Sequence, residues 1–134
     1  MLIRTNVRVL SYSTHGSGGT GASVSKVKEA VALTRVRRPT LKVDGELQGD
    51  AALSTAVAKR KTPESASGGT ANILIFPSLD SGNIAYKLVS QLSPGTQSIG
   101  PILQGFKKPL SDVSRGASVD DIVHVATITA LQGV

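Results

Sequence analysis

The chain has 134 residues, a formal net charge of +6 at pH 7 and no cysteine. This length is enough for one domain with a modest core. The 14 glycines, with only 3% aromatic residues, favour an α/β fold packed with small side chains over a disordered chain. The absence of cysteine excludes a disulfide scaffold, a thiolate metal site and a cysteine nucleophile. His15 and His124 have no metal-ligand spacing, so we expect no metal site.

The positive charge is concentrated in the first half of the chain. Up to Lys61 there are eleven lysines and arginines against four acidic residues, a balance that favours a polyanionic partner. A small ligand with several phosphates is favoured over nucleic acid, because the basic residues are not interleaved with aromatic residues. No apolar run reaches the length of a membrane span, and no signal-peptide core follows residues 1–4. We therefore expect a cytoplasmic protein with no membrane partner.

The first half of the chain predicts alternating strands and helices. An apolar run at 7–13 predicts a buried strand, and valines at helical spacing predict an amphipathic helix at 23–36. A short strand is expected at 41–43, followed by a turn at Asp44 and Gly45. An alanine-rich second helix is expected at 50–59.

The second half continues the alternation. Residues 62–70 predict a loop by composition, and the apolar run at 72–76 predicts the strongest strand of the chain. A helix at 79–92 and a short strand at 98–103 follow. This order predicts an α/β fold with a mainly parallel sheet and right-handed crossovers.

A glycine loop follows the first strand. Gly16, Gly18 and Gly21 match the G-x-G-x-x-G pattern of dinucleotide-binding sites, and Asp44 lies about twenty residues further on. A loop this rich in glycine often matches that pattern by chance. The tight entry into a helix is also missing, because the helix is expected only from Ser23. A dinucleotide-binding module is therefore the weakest of the alternatives.

The last helix begins beside a group of polar residues. Ser118 is a good N-cap, and Asp121 three residues later resembles a capping box. The turn before it brings Ser114, Arg115 and Gly116 to a helix N-terminus, which attracts anions. The guanidinium of Arg115 matches the geometry of phosphate or carboxylate. Alternatively, Ser118 and Asp121 form only a cap, and Arg115 is a solvated loop charge.

Five segments resemble the C-terminal portion of the phosphate acetyltransferase (phosphotransacetylase) family, to which phosphate butyryltransferase is closely related. They occur in family order: LSYST at 10–14, VDGELQGDAAL at 43–53, ANILIFPSLDSGNIAYKLV at 71–89, IGPILQGFKKPLSDVSRGASVDDIV at 99–123 and ATITALQ at 126–132. The resemblance implies a three-layer α/β fold, isocitrate/isopropylmalate-dehydrogenase-like. It also implies exchange of acetyl-CoA and phosphate with CoA and acetyl phosphate.

The resemblance also implies roles for individual residues. Ser114, Arg115 and Asp121 fall on the family's catalytic positions: Asp121 as the base toward the CoA thiol, Arg115 as the ligand of the phosphoryl group, and Ser114 as a hydrogen-bond donor. The implied substrate-binding residues are Gly82, Asn83, Lys87, Ser13 and Thr14. Coenzyme A is then a substrate, and no cofactor is expected.

The family's enzymes are longer than this chain, and the resemblance leaves their N-terminal half without a counterpart. We expect residues 1–100 to belong to the family's second α/β domain, and residues 101–134 to form a C-terminal segment that packs on the first domain. The chain would then hold part of an active site and act with a complementary half or as a homo-oligomer. The alternative is a non-catalytic domain that binds CoA or an acyl phosphate. The sequence leaves the length of the acyl chain, acetyl or butyryl, open.

Overall fold

The computed structural model describes residues 5–65, 68–93, 95 and 97–133. The chain divides into two compact units, Met1–Tyr86 and Lys87–Val134. The elements are β1 (Asn6–Leu10), α1 (Ala22–Arg37), β2 (Lys42–Leu47), α2 (Gly49–Leu53), α3 (Thr55–Lys61), β3 (Ile73–Ile75), α4 (Leu79–Leu92) and α5 (Val119–Leu131). The division of the family's domains at residue 100 stays a prediction.

The first unit contains a three-stranded sheet in the order β2-β1-β3. Both neighbours pair with β1 in parallel, with Val7 opposite Val43 on one side and Ile73 on the other. Parallel pairing needs a crossover between the strands, and α1 supplies it between β1 and β2. The predicted α/β fold with a parallel sheet is confirmed. The three-layer arrangement and the specific fold name stay predictions.

The core of the first unit lies between α1 and the sheet. It consists of Val7, Val9, Val27, Val31 and Val43, with Leu41 packed against them. On α1, Val24, Val27 and Val31 are three and four residues apart, which places them on one helix face. All three are at most 2% exposed. The predicted helix at 23–36 is confirmed, with one further residue at each end.

The strand β2 runs through the position where a turn was predicted. The prediction at Asp44 and Gly45 is wrong, because β2 continues to Leu47 with a change of register. Gly45 has φ of +153°, and a Cβ there would lie 2.7 Å from the carbonyl oxygen of Val9. Glycine therefore permits an irregular strand in close contact with β1, instead of ending the strand.

Strand β1 is shorter than predicted. It ends at Leu10, and the backbone N–H of Ser11 still donates to Leu47 O at 2.9 Å. From Ser13 onward, polar side chains hydrogen-bond to residues at the end of β2, and the backbone pairing between β1 and β2 ends. The predicted strand at 7–13 therefore holds only for its apolar part.

The predicted helix at 50–59 is two helices. Ser54 interrupts it with extended backbone angles, and its hydroxyl accepts a hydrogen bond from Val57 N at 3.4 Å, which caps α3. Serine favours such a cap over a helix interior, because its hydroxyl competes for backbone groups. The loop predicted at 62–70 is confirmed for the residues described there; Ala66 and Ser67 lie outside them.

The second unit is built around α5. Its predicted cap at Ser118 is confirmed, as is the predicted extent of α4 at 79–92. The strand predicted at 98–103 is wrong: Ile102 makes only an isolated antiparallel bridge to Ser111. Thr129 of α5 donates to Ser111 Oγ at 2.8 Å and so joins the helix to this bridge. Among the described residues, no helix combines the length and the apolar character that crossing a membrane requires.

Candidate functional site

Ser13 and Thr14 lie buried just after β1, with both hydroxyls engaged. Ser13 Oγ donates to Glu46 Oε1 at 2.8 Å and accepts from Gly18 N at 2.9 Å. Thr14 Oγ1 donates to Gln48 Oε1 at 3.2 Å and accepts from Gln48 N at 3.0 Å. These bonds fasten the loop after β1 to the end of β2. Both residues thus stabilise the loop after β1, and neither hydroxyl is free to bind a ligand.

Glu46 is the centre of this arrangement and was missed in the sequence. Its carboxylate is 1% exposed and accepts from Gly16 N at 2.7 Å as well as from Ser13. Lys28 Nζ lies 3.6 Å away. Burial acts to raise the pKa of this carboxyl, but the hydrogen bonds from Gly16 and Ser13, with the charge of Lys28, outweigh it and the pKa is lowered.

Part of the backbone of the glycine loop at 16–21 is already engaged, since Gly16 N donates to Glu46 Oε1 and Gly18 N donates to Ser13 Oγ. Besides Gly16 N and Gly18 N, Gly19 N donates to Gly16 O at 3.1 Å. Asp44, the expected ribose ligand of a dinucleotide site, accepts from Arg35 Nη2 at 2.8 Å and from Ser65 Oγ at 3.0 Å. A pyrophosphate would need free N–H groups here, and a ribose would need a free carboxylate. The dinucleotide interpretation finds no support in this geometry.

Gly82, Asn83 and Lys87 lie on α4. Gly82 N donates to Ser78 O at 3.1 Å, and a Cβ on Gly82 would lie 3.5 Å from Phe76 Cβ, an ordinary van der Waals contact. Asn83 and Lys87 are exposed and four residues apart, a spacing that puts them on one helix face. Neither side chain hydrogen-bonds to any residue described, so both are open to a ligand.

The start of α5 is held by a complete capping box. Ser118 Oγ accepts from Asp121 N at 3.2 Å, and Asp121 Oδ2 accepts from Ser118 N at 2.9 Å. The Ser118 hydroxyl also donates to Asp121 Oδ2 at 2.8 Å. These bonds lower the pKa of the Asp121 carboxyl, with a smaller contribution from His124. A carboxyl with a lowered pKa is a weaker base.

The turn at 114–117 precedes this cap. Ala117 N donates to Ser114 O at 2.9 Å, and Gly116 N donates to Ser114 Oγ at 3.3 Å. Arg115 is exposed, and its guanidinium forms no ion pair or hydrogen bond with the part of the chain that is described. Ser114, Arg115 and Asp121 are thus carried by one short segment. Within the described residues, no hydrogen bond or ion pair joins their side chains to one another.

A groove of about 1010 Å³, here called the α5 groove, opens beside the same helix in the second unit. Its lining is mostly apolar: Lys107, Lys108, Pro109, Leu110, Ser111, Val113, Ile122, Val125, Ala126, Thr129, Ala130, Gln132 and Gly133. Ile122 is 49% exposed and Leu110 49% exposed. Ser114, Arg115 and Asp121 do not line the groove, although Val113 and Ile122 beside them do.

Metal chemistry has no support among the residues described. They contain no group of three or more histidine, cysteine, aspartate or glutamate side chains able to hold a metal ion. His15 Nδ1 lies 2.6 Å from Glu64 Oε1 and His15 Nε2 lies 3.7 Å from Asp44 Oδ1, and Arg35 pairs with the same Asp44 oxygen.

Comparison with known proteins gives consistent relatives. A family model described as "Phosphate acetyl/butaryl transferase" matches residues 1–130. The chain is 52% identical to a phosphate acetyltransferase of Buchnera aphidicola over 97% of its own length and 18% of that protein's. It is 51% identical to the one of Clostridium acetobutylicum, covering 97% of this chain and 38% of that protein.

Solved structures agree with these relatives. A phosphotransacetylase from Streptococcus pyogenes superposes with a TM-score of 0.89 at 47% identity, covering 98% of this chain and 39% of that one. The chain therefore spans between about a fifth and two fifths of the length of these proteins.

Proposed function

Because the chain belongs to the phosphate acetyl/butaryl transferase family, we propose that it takes part in acyl transfer between acetyl-CoA and phosphate. The reaction is acetyl-CoA plus phosphate giving CoA plus acetyl phosphate, in either direction. Family membership supports the reaction class, and the names of the relatives support acetyl as the acyl group. Since the chain spans only part of each relative's length, we propose that it contributes one part of an active site.

The proposed chemistry is direct transfer without a covalent enzyme intermediate. The CoA sulfur attacks the carbonyl carbon of acetyl phosphate, a C–S bond forms, the C–O bond to phosphate breaks, and the thiol proton passes to a base. This route needs no enzyme nucleophile and agrees with the absence of cysteine. Positioning and charge stabilisation would then supply most of the rate.

The exposed guanidinium of Arg115 is the observation that carries the proposal. It sits directly before a capped helix start and has no carboxylate partner among the residues described. A guanidinium in that setting binds a phosphoryl group through paired N–H donors. Ser114, on the same turn, is proposed to donate a hydrogen bond to the thiol or to the developing oxyanion.

Asp121 is proposed as the acceptor of the thiol proton, with help from its surroundings. Its Oδ2 is engaged by Ser118, and the lowered pKa reduces its affinity for a proton. A free thiol has a pKa near 8.5, which nearby positive charge lowers. Arg115 and the N-terminus of α5 would therefore stabilise the thiolate, so that a weak base suffices.

The remaining substrate-binding residues are proposed to act in two ways. Asn83 and Lys87 present free polar groups on α4 and suit direct contact with phosphate or CoA, and Gly82 lies next to Asn83 on the same helix. Ser13 and Thr14 have engaged hydroxyls and suit a positioning role, through the loop that they fasten.

A complementary polypeptide surface is proposed to cover the α5 groove. The groove is open and mostly apolar, and the relatives contain further sequence that has no counterpart in this chain. Exposed apolar side chains that line one groove can be buried by a partner surface, which is a favourable change in free energy. The mass in solution, measured alone and with CoA, distinguishes a second copy of this chain from a surface supplied by other sequence.

The test is release of CoA thiol from acetyl-CoA and phosphate, followed with a thiol reagent. In a preparation with wild-type turnover, Arg115→Ala should lower the rate by about 100-fold or more, because it removes a charged donor to the transferred group. Arg60→Ala is the matched control, since Arg60 is also exposed and forms no ion pair with the described residues. Equal rates for the two variants would contradict the role of Arg115.

A second candidate is a non-catalytic domain that binds CoA or an acyl phosphate. The lowered pKa of Asp121 favours it, because a weakly basic carboxylate is a poor proton acceptor and binding alone requires no proton transfer. Calorimetric titration separates the two. Acetyl phosphate binding that Arg115→Ala abolishes, without thiol release by the wild type, would support the binding domain. No binding and no turnover in the wild type would contradict both.

A further inference from the structure

We propose a second anion site, which shares no residue with the one above and does not depend on the proposed function. It is a cleft of about 580 Å³ lined by Thr5, Arg38, Thr40, Leu41 and Lys42, here called the amino-edge cleft. The ligand is a small organic molecule that carries two linked phosphoryl groups. Arg38 and Lys42 belong to the positive excess of the first half of the chain, which the acyl-transfer proposal leaves unexplained.

The cleft lies at the amino-terminal edge of the sheet in the first unit. Thr5 directly precedes β1, and Lys42 is the first residue of β2, opposite Asn6. Because the two strands are parallel, both begin at this edge, and α1 returns the chain to it at Arg38. Ser13 and the buried loop follow the opposite end of β1, about 17 Å away along five residues of strand. The amino-edge cleft is therefore distinct from the loop that Ser13 and Thr14 fasten.

Among the described residues, no acidic side chain pairs with the two cations of the cleft. Arg38 donates only a long bond of 3.3 Å from Nη1 to Arg37 O, and Lys42 is exposed. Neither forms an ion pair with any residue in the described ranges, and no carboxylate lines the cleft. Arg35, in contrast, pairs with Asp44 at 2.8 Å. Two cations without a described carboxylate partner attract an anion to the cleft. Both side chains can then bind it.

The side chains that line the cleft favour a diphosphate as its ligand. A guanidinium binds phosphoryl oxygens in pairs, and an ammonium adds a compact point charge. The hydroxyls of Thr5 and Thr40 add donors, and Leu41 adds an apolar wall for an organic group. A volume of about 580 Å³ falls in the range of small-molecule sites and exceeds what one phosphate fills. None of the described residues that line the cleft is aromatic, which disfavours the stacked bases of single-stranded nucleic acid.

A simpler explanation accounts for only part of this pattern. Basic residues at a helix C-terminus complement the helix dipole, and Arg37 and Arg38 stand at the end of α1. Lys42 belongs to a strand and gains nothing from that dipole. Its place beside Arg38 in one cleft is what points to a ligand.

The experiment titrates the isotope-labelled full chain with pyrophosphate, ADP and a single-stranded oligonucleotide, followed by backbone amide shifts and calorimetry. The expected result is saturable binding of pyrophosphate and ADP, with shifts at Thr5, Thr40 and Lys42. The double variant Arg38→Gln with Lys42→Gln should weaken this binding by about tenfold or more, because two charge-assisted hydrogen-bond donors are lost. Lys59→Gln with Arg60→Gln is the matched control, since it removes the same charge from the end of α3.

Three outcomes overturn the proposal. The first is equal weakening by both double variants, which means unspecific attraction to a basic protein. The second is the absence of shifts at the amino-edge cleft with pyrophosphate and ADP. The third is an oligonucleotide that binds there more tightly than ADP, which assigns the cleft to nucleic acid. Retained cleft shifts in the control variant, together with their loss in the cleft variant, support it.

Discussion

Glu46 has 1% of its surface exposed, and the loop after β1 is built around its carboxylate. A buried charge is tolerated only when hydrogen bonds or an opposite charge replace its hydration. Ser13, Gly16 and Lys28 provide both, at 2.8, 2.7 and 3.6 Å from the same oxygen. One side chain thus holds a glycine-rich loop that would otherwise have many conformations.

We predict that Glu46→Gln lowers the free energy of unfolding by about 1–3 kcal/mol, because the amide removes the charge and leaves buried donors poorly paired. Urea unfolding of the variant and the wild type measures this. Glu29→Gln is the control, since Glu29 is exposed on α1 and changes the net charge equally. A loss no larger than that of the control would contradict the role assigned to Glu46.

The stability difference between Glu46→Gln and the wild type depends on pH, in the direction set by the lowered pKa of Glu46. The pKa of Glu46 is lowered in the folded protein, so its contribution is present above the unfolded value near 4.3 and is lost as pH falls through the folded value. The stabilities of Glu46→Gln and the wild type should therefore converge on acidification below about pH 4. A difference that stays constant down to acid pH would show that geometry, and not charge, sets the effect.

At the scale of elements, α5 depends on its first turn. The helix carries Asp120 and Asp121 at its N-terminus and no basic residue in its last turn. Acidic residues there are stabilised by the helix dipole, and the capping box satisfies backbone groups that the helix leaves unpaired. The turn that bears Arg115 is anchored at the same place. Loss of the cap would therefore destabilise both the first turn of α5 and the turn that positions Arg115.

We predict that Ser118→Ala costs about 1 kcal/mol and increases hydrogen exchange at the amides of 119–122, because two capping bonds disappear. Ser23→Ala on α1 is the control, since Ser23 is exposed and its hydroxyl bonds to none of the described residues. Asp121 has a lowered pKa, so the cap should persist at neutral pH and weaken as pH falls through that value. Unchanged exchange in Ser118→Ala would contradict the cap.

At the scale of the whole molecule, the two units differ in how much apolar surface they bury. Among the described residues, the buried apolar side chains lie in the first unit except for Val125. The part of α4 that belongs to the second unit, residues 87–92, contains no buried residue, and Leu92 at its end is 75% exposed. Burial of apolar surface is the main source of folding free energy. The second unit is therefore expected to be the less stable one until a partner surface covers it.

We predict that amides of β1, such as those of Val7 and Val9, exchange with solvent far more slowly than those of α5. The strand is buried and paired on both sides, whereas α5 borders an open apolar groove. Exchange measured by mass spectrometry at neutral pH tests this. Similar protection in both elements of the isolated chain would show that the α5 groove is already closed in solution.

The sequence by itself determined those features that depend on neighbours along the chain. The extent of α4, the cap of α5 and the face of α1 follow from helical spacing and capping, which act over three or four residues. The family was also recognisable from five segments in order, and with it the residues Ser114, Arg115 and Asp121. Their roles stay predictions, because a sequence motif identifies a residue but does not determine which groups its side chain contacts.

Only the tertiary structure decided the features that depend on distant partners. Asp44 and Gly45 have the composition of a turn, yet they continue a strand because β1 lies beside them. Residues 98–103 have the composition of a strand, yet Ile102 bridges only Ser111. From the sequence, Glu46 resembles a surface charge. The structure buries it against Ser13, 33 positions away, which donates a hydrogen bond to its carboxylate. In each case the deciding hydrogen bond or contact is made across the fold, where local propensity carries no information.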